Sequence, residues 1–140
     1  MKPSSKTEYA LKTMLDLALH RNEGVVRVAD IAQRQSIPIK FLEQILLVLK
    51  AGELVSSRRG ARGGYVLAKD PAVIQIGDIV RLTEHSFAVS HRTHNPADPF
   101  GEIWEDIGNY ARKKLATTTL QDICTRAIKL RLGRSLEYSI

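Results

Sequence analysis

The sequence predicts a mainly α-helical fold with a small two-stranded β wing. Apolar residues recur at helical spacing in several separate segments of the chain. Two short runs of β-forming residues flank a glycine-rich turn at residues 59–64, which is typical of a hairpin. The length of 140 residues allows one domain with one or two additional helices. These three observations together favour a helical domain that carries one hairpin.

The first three predicted helices lie before the hairpin. The first spans about residues 6–20, and a short second helix covers about residues 28–32. Pro38 suits the first position of a third helix, because its fixed φ fits there and its missing N–H donor would be unpaired anyway. This third helix runs from about residue 39 to residue 51. Its predicted buried face carries Ile39, Leu42, Ile45, Leu46 and Leu49.

After the hairpin, a short fourth helix is expected near residues 76–82. Residues 85–99 lack periodicity and contain Asn95-Pro96 and Asp98-Pro99, which predicts a loop long enough to have a function. A fifth helix covers residues 100–116. Three threonines at 117–119 cap a short sixth helix that frays after Leu132. We therefore divide the chain into an N-terminal domain (1–84), a sensor loop (85–99) and a C-terminal helical part (100–132).

The order helix, helix, turn, helix, hairpin is the winged helix-turn-helix arrangement. In that arrangement the third helix enters the DNA major groove and the hairpin reaches the backbone or the minor groove. Three helices and a hairpin also occur in protein-interaction domains. The residues at the exposed positions favour double-stranded DNA as the partner, so we expect a sequence-specific DNA-binding regulator.

Four residues of the third helix are candidate base contacts. Gln44 can bond an adenine edge through two hydrogen bonds, Glu43 can accept from a cytosine amino group, and Lys40 can reach a guanine or a phosphate. Phe41 can touch a thymine methyl group. The alternative is a solvated helix face for the polar residues and a core position for Phe41. Leu47 and Val48 are unexpectedly apolar for this face; they either pack on the wing or indicate a slightly rotated helix.

The hairpin tip is strongly cationic. Arg58, Arg59 and Arg62 fall within five residues, and the interspersed glycines allow a close approach to DNA. A narrow minor groove attracts arginine through its negative potential. Residues 1–70 hold 12 Lys and Arg residues against 7 Asp and Glu residues, so most of the net charge of +6 lies in this half. Lys6, at the start of the first helix, is a further candidate phosphate contact.

Several classes of protein and site are disfavoured. The longest apolar run, residues 45–49, is far too short to span a membrane, and residues 1–6 do not resemble a secretion signal, so we expect a cytoplasmic protein. No catalytic motif is present, which argues against an enzyme. The single cysteine, Cys124, excludes a multi-thiolate metal or iron–sulfur site within one chain, and its apolar surroundings predict a buried, inert thiol.

Asp16 and His20, four residues apart, suggest a surface pair.

Short motifs along the chain resemble those of the Rrf2 family of bacterial winged-helix transcriptional regulators. The resemblance covers about residues 5–124 and is carried by a set of short motifs. These are Tyr9-Ala10-Leu11, residues 14–18, Asp30-Ile31-Ala32, Phe41-Leu42-Glu43-Gln44, Arg59-Gly60 with Gly63-Gly64-Tyr65, residues 77–80, Ile103-Trp104 and Thr119-Leu120.

The resemblance implies a cytoplasmic homodimer that acts on a near-palindromic operator as a repressor or an activator, with repression as our expectation. Lys40, Phe41 and Gln44 would reach the major groove, and Arg59 the minor groove. The fifth helix would pair with its mate across the two-fold axis. Its apolar stripe is consistent with that role, because a short lone chain has little to cover it with. The predicted dimerisation residues are Phe100, Ile103, Trp104, Ile107 and Ala111.

One departure from the family pattern bears on sensing. Many members carry three cysteines in the loop after the fourth helix, where they hold an iron–sulfur cluster, but residues 85–99 contain none. We therefore expect no cofactor of this kind. His85, His91 and His94 lie in the loop and can ligate a metal, although solvated histidines are the more common case. The alternatives for control are a small-molecule effector or a protein partner, and a second alternative is an interaction module that has lost DNA binding.

Overall fold

The computed structural model describes residues 3–84 and 95–138, with side chains as far as residue 135. Within these residues, six helices and one hairpin follow each other in the predicted order. The elements are α1 (Ser5–Leu19), α2 (Val28–Gln35), α3 (Ile39–Ala51), β1 (Val55–Arg58), β2 (Gly64–Leu67), α4 (Ile76–Thr83), α5 (Gly101–Thr117) and α6 (Leu120–Tyr138). Short 3-10 turns at Arg21–Glu23 and Pro71–Val73 connect α1 to α2 and β2 to α4. The mainly helical fold with a small β wing is therefore confirmed.

The core forms where α1, α2, α3 and α4 meet behind the hairpin. Helix α3 packs against α1, α2, α4 and β1. Four of its five predicted core residues, from Leu42 to Leu49, are buried. Ile39 is the exception at 49% exposure, because the helix begins at this residue and its contacts with the core begin one turn later. The buried residues of this core come almost wholly from residues 10–79, with Leu120 and Cys124 added from α6.

The strands of the hairpin pair antiparallel, from Val55 with Leu67 to Arg58 with Gly64. The segment before α2 adds a third backbone to this pair. The Val26 N–H donates to the Tyr65 carbonyl at 2.9 Å, and the Tyr65 N–H donates to the Val26 carbonyl at 2.8 Å. The hairpin is thereby attached directly to the chain that enters the helix-turn-helix.

The sixth helix is longer than predicted. It extends to Tyr138 and is not the short helix ending near Leu132 that the sequence indicated. Its start matches the prediction: the Thr119 hydroxyl accepts from the Asp122 N–H at 3.1 Å, and the Asp122 carboxylate accepts from the Thr119 N–H at 2.9 Å. The residues beyond Leu132 include one glycine but no proline, so nothing in the chain forces the helix to end there.

Candidate nucleic-acid interface

The recognition candidates lie together on the open side of α3. Lys40, Glu43 and Gln44 are exposed, whereas Leu42 and Leu46 on the opposite side are buried in the core. Residues separated by three and four positions share one face of a helix. The structure therefore brings these three polar side chains into one row that solvent, or a groove of DNA, can reach.

Phe41 lies at the edge of this row, between the two roles that the sequence left open. Its ring is 36% exposed and meets the Tyr9 ring of α1 edge-on, with 5.5 Å between the ring centroids. Such a T-shaped contact is a favourable aromatic geometry. Phe41 thus fixes α3 against α1 and still offers part of its ring to the surface.

The hairpin tip presents all three predicted arginines, since Arg58, Arg59 and Arg62 are exposed. Two glycines allow the backbone to form this tight turn. Gly60 has a φ of 113°, a value that L side chains rarely adopt. A Cβ atom on Gly63 would lie 2.5 Å from the Arg58 carbonyl oxygen. The turn therefore brings the arginines together through backbone geometry that larger residues would disrupt.

Two contacts fix the position of the hairpin, one with α3 and one with the segment before α2. The Lys50 ammonium, at the end of α3, donates to the Ser57 hydroxyl of β1 at 2.7 Å. Gly64 lets the hairpin approach Val26, because a Cβ atom at this position would lie only 2.1 Å from the Val26 carbonyl oxygen. The wing is thus held both to α3 and to the segment before α2.

Arg27, which was not among the predicted site residues, contacts the hairpin tip. Its side chain is exposed, and its guanidinium donates to the carbonyl oxygen of Ala61 at the hairpin tip at 3.2 Å. Residue 27 stands directly before α2, 34 positions from Ala61 along the chain. No local sequence pattern predicts a contact between residues so far apart. The neighbouring residue, Val26, pairs with Tyr65 of the hairpin, and this pairing is what brings Arg27 close to the tip.

Lys6 is half-buried at the start of α1, and its predicted phosphate contact remains a prediction. Donors of Ser4 and Thr7 beside it already have acceptors within the protein. The Ser4 N–H donates to the Glu84 carboxylate at 2.8 Å, and the Thr7 hydroxyl donates to the same oxygen at 3.1 Å. The Ser4 hydroxyl accepts from the Thr7 N–H and caps the helix. A protein carboxylate therefore lies at this helix end, beside the residue predicted to contact phosphate.

Asp16 and His20 do pair, with 3.7 Å between His20 Nδ1 and an Asp16 carboxylate oxygen, but the expectation that this pair lies at the surface is wrong. Asp16 is fully buried, and its carboxylate accepts from the Arg34 guanidinium at 2.8 and 2.9 Å and from the Gln35 amide at 3.0 Å. His20 is half-buried and contacts the Asp16 carbonyl oxygen through Nδ1 at 2.8 Å. Burial alone would raise the pKa of Asp16, but the hydrogen bonds from Arg34 and Gln35 and the nearby positive charges bring it below its usual value. This network joins α1 to the end of α2 and so fixes the helix-turn-helix.

The predicted dimerisation stripe lies on the outside of the folded chain. Phe100, Ile103, Trp104 and Ile107 are 45–65% exposed, and Tyr110 joins them at 71%. Ala111 is half-buried. All of α5 belongs to the described part of the chain, and none of its residues is buried. The helix touches the body mainly through α4, where Gly77 lies close to Leu115.

The residues do not fit a cysteine-ligated metal cluster. Cys124 is buried on α6, where burial raises the pKa of its thiol and disfavours the thiolate that binds metals. Among residues 3–84 and 95–138, no group of three or more His, Cys, Asp and Glu side chains is arranged to hold a metal ion. His85, His91 and His94 lie outside the described residues. Within the described part of the chain, no helix is long and apolar enough to cross a membrane.

A profile of the Rrf2 family, described as an iron-dependent transcriptional regulator, matches residues 3–126. The chain belongs to the Rrf2 family. Among curated Rrf2-like regulators, the HTH-type transcriptional regulator IscR of Serratia proteamaculans is 44% identical over 129 residues. That alignment covers 88% of this chain and 79% of the relative.

Solved structures give the same picture of an Rrf2 winged helix. The structure of CymR, the global cysteine regulator of B. subtilis, matches with a TM-score of 0.80 and 34% identity, covering 90% of this chain and 98% of that one. The T. potens IscR structure matches with a TM-score of 0.79 and 37% identity, covering 91% of this chain and 88% of that one. The winged-helix fold and the assignment to DNA-binding transcription regulators are thereby shown.

Proposed function

We propose that this Rrf2 protein is a sequence-specific repressor that binds a two-fold-symmetric operator as a homodimer in the cytoplasm. Lys40, Glu43 and Gln44 would read base edges in the major groove, and the wing arginines would hold the backbone and the minor groove. The observation that carries the dimer is the apolar stripe of α5. It consists of Phe100, Ile103, Trp104, Ile107 and Tyr110, and nothing in the described part of the chain buries it.

The stripe calls for a partner because monomeric proteins rarely expose contiguous apolar patches of this kind. A second copy of the chain suits it by charge as well. The first half of α5 carries Glu102, Glu105 and Asp106, and the second half carries Arg112, Lys113 and Lys114. An antiparallel pair of α5 helices would set the acidic half of each against the basic half of the other. The same polarity also suits the helix dipole of each α5.

A symmetric pair of this kind determines the form of the operator. An isologous interface relates the two α3 helices by a two-fold axis, so each dimer would read the same half-site in opposite directions. We therefore expect an inverted repeat with its half-sites about one helical turn of DNA, or a multiple of it, apart.

The composition supports regulation of DNA binding without a cysteine-ligated cluster. The single cysteine of the chain is buried, which is unsuited to the thiolate ligands of an iron–sulfur centre. The operator affinity of the protein as purified should therefore not depend on reconstitution with iron and sulfide. The signal would then be a small molecule or a protein partner.

Selection of binding sites from a random duplex pool at near-physiological salt tests the proposal. We expect enrichment of one inverted repeat, and we expect that repeat to lower transcription when it is placed in a reporter promoter. Enrichment of an asymmetric site would contradict the dimer model. Salt-sensitive binding without any enrichment would contradict sequence-specific recognition.

The matched variants Trp104→Glu and Val73→Glu separate dimerisation from general damage. Both side chains are 65% exposed, but only Trp104 lies on the α5 stripe. A charge in the stripe should give a protein of monomer mass with operator affinity lowered more than about tenfold, since the two half-sites would no longer be engaged together. Val73→Glu should keep the dimer mass. Equal masses for the two variants would contradict the assignment of α5.

A further inference from the structure

Leu47 continues the row of exposed residues on α3. Positions 40, 43, 44 and 47 are separated by three or four residues, so they fall within an arc of about 100° on the helix. The three polar members are the proposed base contacts, and Leu47 stands one turn beyond Gln44. Its apolar side chain is unusual for such a row, but its place on the helix is the same face as Lys40, Glu43 and Gln44.

Exposure separates Leu47 from the other leucines of α3. Leu46 and Leu49 are fully buried, whereas Leu47 is 61% exposed. The wing, which is hydrogen-bonded to α3 through Lys50 and Ser57, leaves most of the Leu47 side chain uncovered. Of the two residues expected either to pack on the wing or to indicate a rotated helix, Leu47 is therefore mostly exposed and Val48 is half-buried. A single exposed leucine is unremarkable elsewhere on a surface, but here it lies among residues placed to meet base edges.

The chemistry of the major groove limits what such a side chain can recognise. Leucine has no hydrogen-bond donor for a phosphate and no polar group for a base edge. The thymine C5-methyl group is the apolar feature that a base pair presents in the major groove. Leu47 lies about 4.5 Å along the helix axis from Gln44, since each residue rises about 1.5 Å. This distance is close to the spacing of about 3.4 Å between successive base pairs.

We propose that Leu47 is a specificity-determining residue that reads a thymine methyl group next to the base pair contacted by Gln44. This inference rests on the proposed function, because it requires α3 to enter the major groove of a specific operator. It adds an apolar contact to the polar reading by Lys40, Glu43 and Gln44. It also predicts which chemical group of the operator the contact needs.

The test replaces thymines of the selected operator, one position in both half-sites at a time, with deoxyuridine, which removes only the methyl group. Wild-type protein should lose about fourfold in affinity per half-site at one position, as expected for the loss of one buried methyl group. Leu47→Ala should bind the thymine and deoxyuridine operators equally at that position. Because Leu47 is exposed, this variant should fold normally, which its thermal unfolding will check.

The control variant Val73→Ala removes an exposed apolar side chain outside α3 and should keep the full deoxyuridine effect. A deoxyuridine effect that persists in Leu47→Ala, or the absence of any such effect in wild type, would overturn the inference while specific binding still stands. Wild-type protein that binds the selected operator and a scrambled duplex equally would overturn the proposed function as well. Binding to the scrambled duplex is therefore measured first.

Discussion

The N-terminal winged domain and helix α5 both show strong apolar periodicity, but they use it differently. In the winged domain the apolar faces of α1 to α4 close on each other and form the core. In α5, which lies wholly within the described residues, the stripe stays exposed and no residue is buried. Periodicity therefore reports that a helix has an apolar face, but it does not report whether the same chain covers that face.

The largest expected effect concerns the interior of the winged domain. Asp16→Ala would remove the buried acceptor of three hydrogen bonds from Arg34 and Gln35 and should lower the free energy of unfolding by about 2–4 kcal/mol, since the exposed Arg34 can regain water. Glu8→Ala is the control, since Glu8 forms only an exposed pair with Lys12 on the same helix and should cost less than about 0.5 kcal/mol. Urea unfolding measures both. Similar losses for the two variants would contradict a buried α1–α2 clamp.

The same interaction makes stability dependent on pH. The folded-state pKa of Asp16 lies below its ordinary value, so its stabilisation is fully present above the unfolded pKa of about 4 and is lost as the pH falls through the folded pKa. The difference in unfolding free energy between wild type and Asp16→Asn should stay constant at neutral pH and shrink below about pH 4. A difference that grows on acidification would have the wrong sign for a depressed pKa.

The Asp16 network illustrates where prediction from sequence ends. The bounds of α3 and the order of the elements were predicted closely, because periodicity and the proline and glycine signals are local. Periodicity does not predict the burial of the Asp16 carboxylate, because an aspartate is expected at the surface. The partners that make its burial possible lie 18 and 19 positions away along the chain. The full length of α6 was missed although Ile128, Leu132 and Leu136 recur at a spacing of four residues into its last turns.

The candidate site divides in the same way. Polar and cationic residues on α3 and the hairpin were found from residue type and spacing. Arg27 was missed because only the docked hairpin brings it to Ala61. Leu47 was named but set aside, since residue type was given more weight than its position on the helix.

A substitution where the hairpin meets the segment before α2 should cause an intermediate loss of stability. Gly64→Ala would place a Cβ atom 2.1 Å from the Val26 carbonyl oxygen and force apart the two backbone hydrogen bonds between Val26 and Tyr65. We expect a loss of about 1–3 kcal/mol in unfolding free energy. Gly133→Ala on α6 is the control: no atom lies within 4 Å of the added Cβ, and a helical alanine should gain about 0.5–1 kcal/mol. Changes of the same sign would contradict this account of Gly64.

The smallest effect is expected on α5 in dilute solution, and it tests the comparison most directly. Ile107 is 45% exposed in the single chain, so Ile107→Ala should cost less than about 1 kcal/mol when the protein is dilute enough to be monomeric. The cost should rise with protein concentration, because a second copy that covers the stripe stabilises the wild type by mass action.

Ile45→Ala provides the matched comparison for Ile107→Ala. Ile45 is buried in the core of its own chain, so its loss should cost about 2–5 kcal/mol by cavity formation, with only a weak dependence on concentration. Thermal unfolding over a hundredfold range of concentration measures both variants. If the cost of Ile107→Ala stayed small and constant over that range, no second copy would cover the stripe, and the assignment of α5 to the dimer interface would be wrong. A cost that grows with concentration would assign the missing half of the α5 interface to a second molecule.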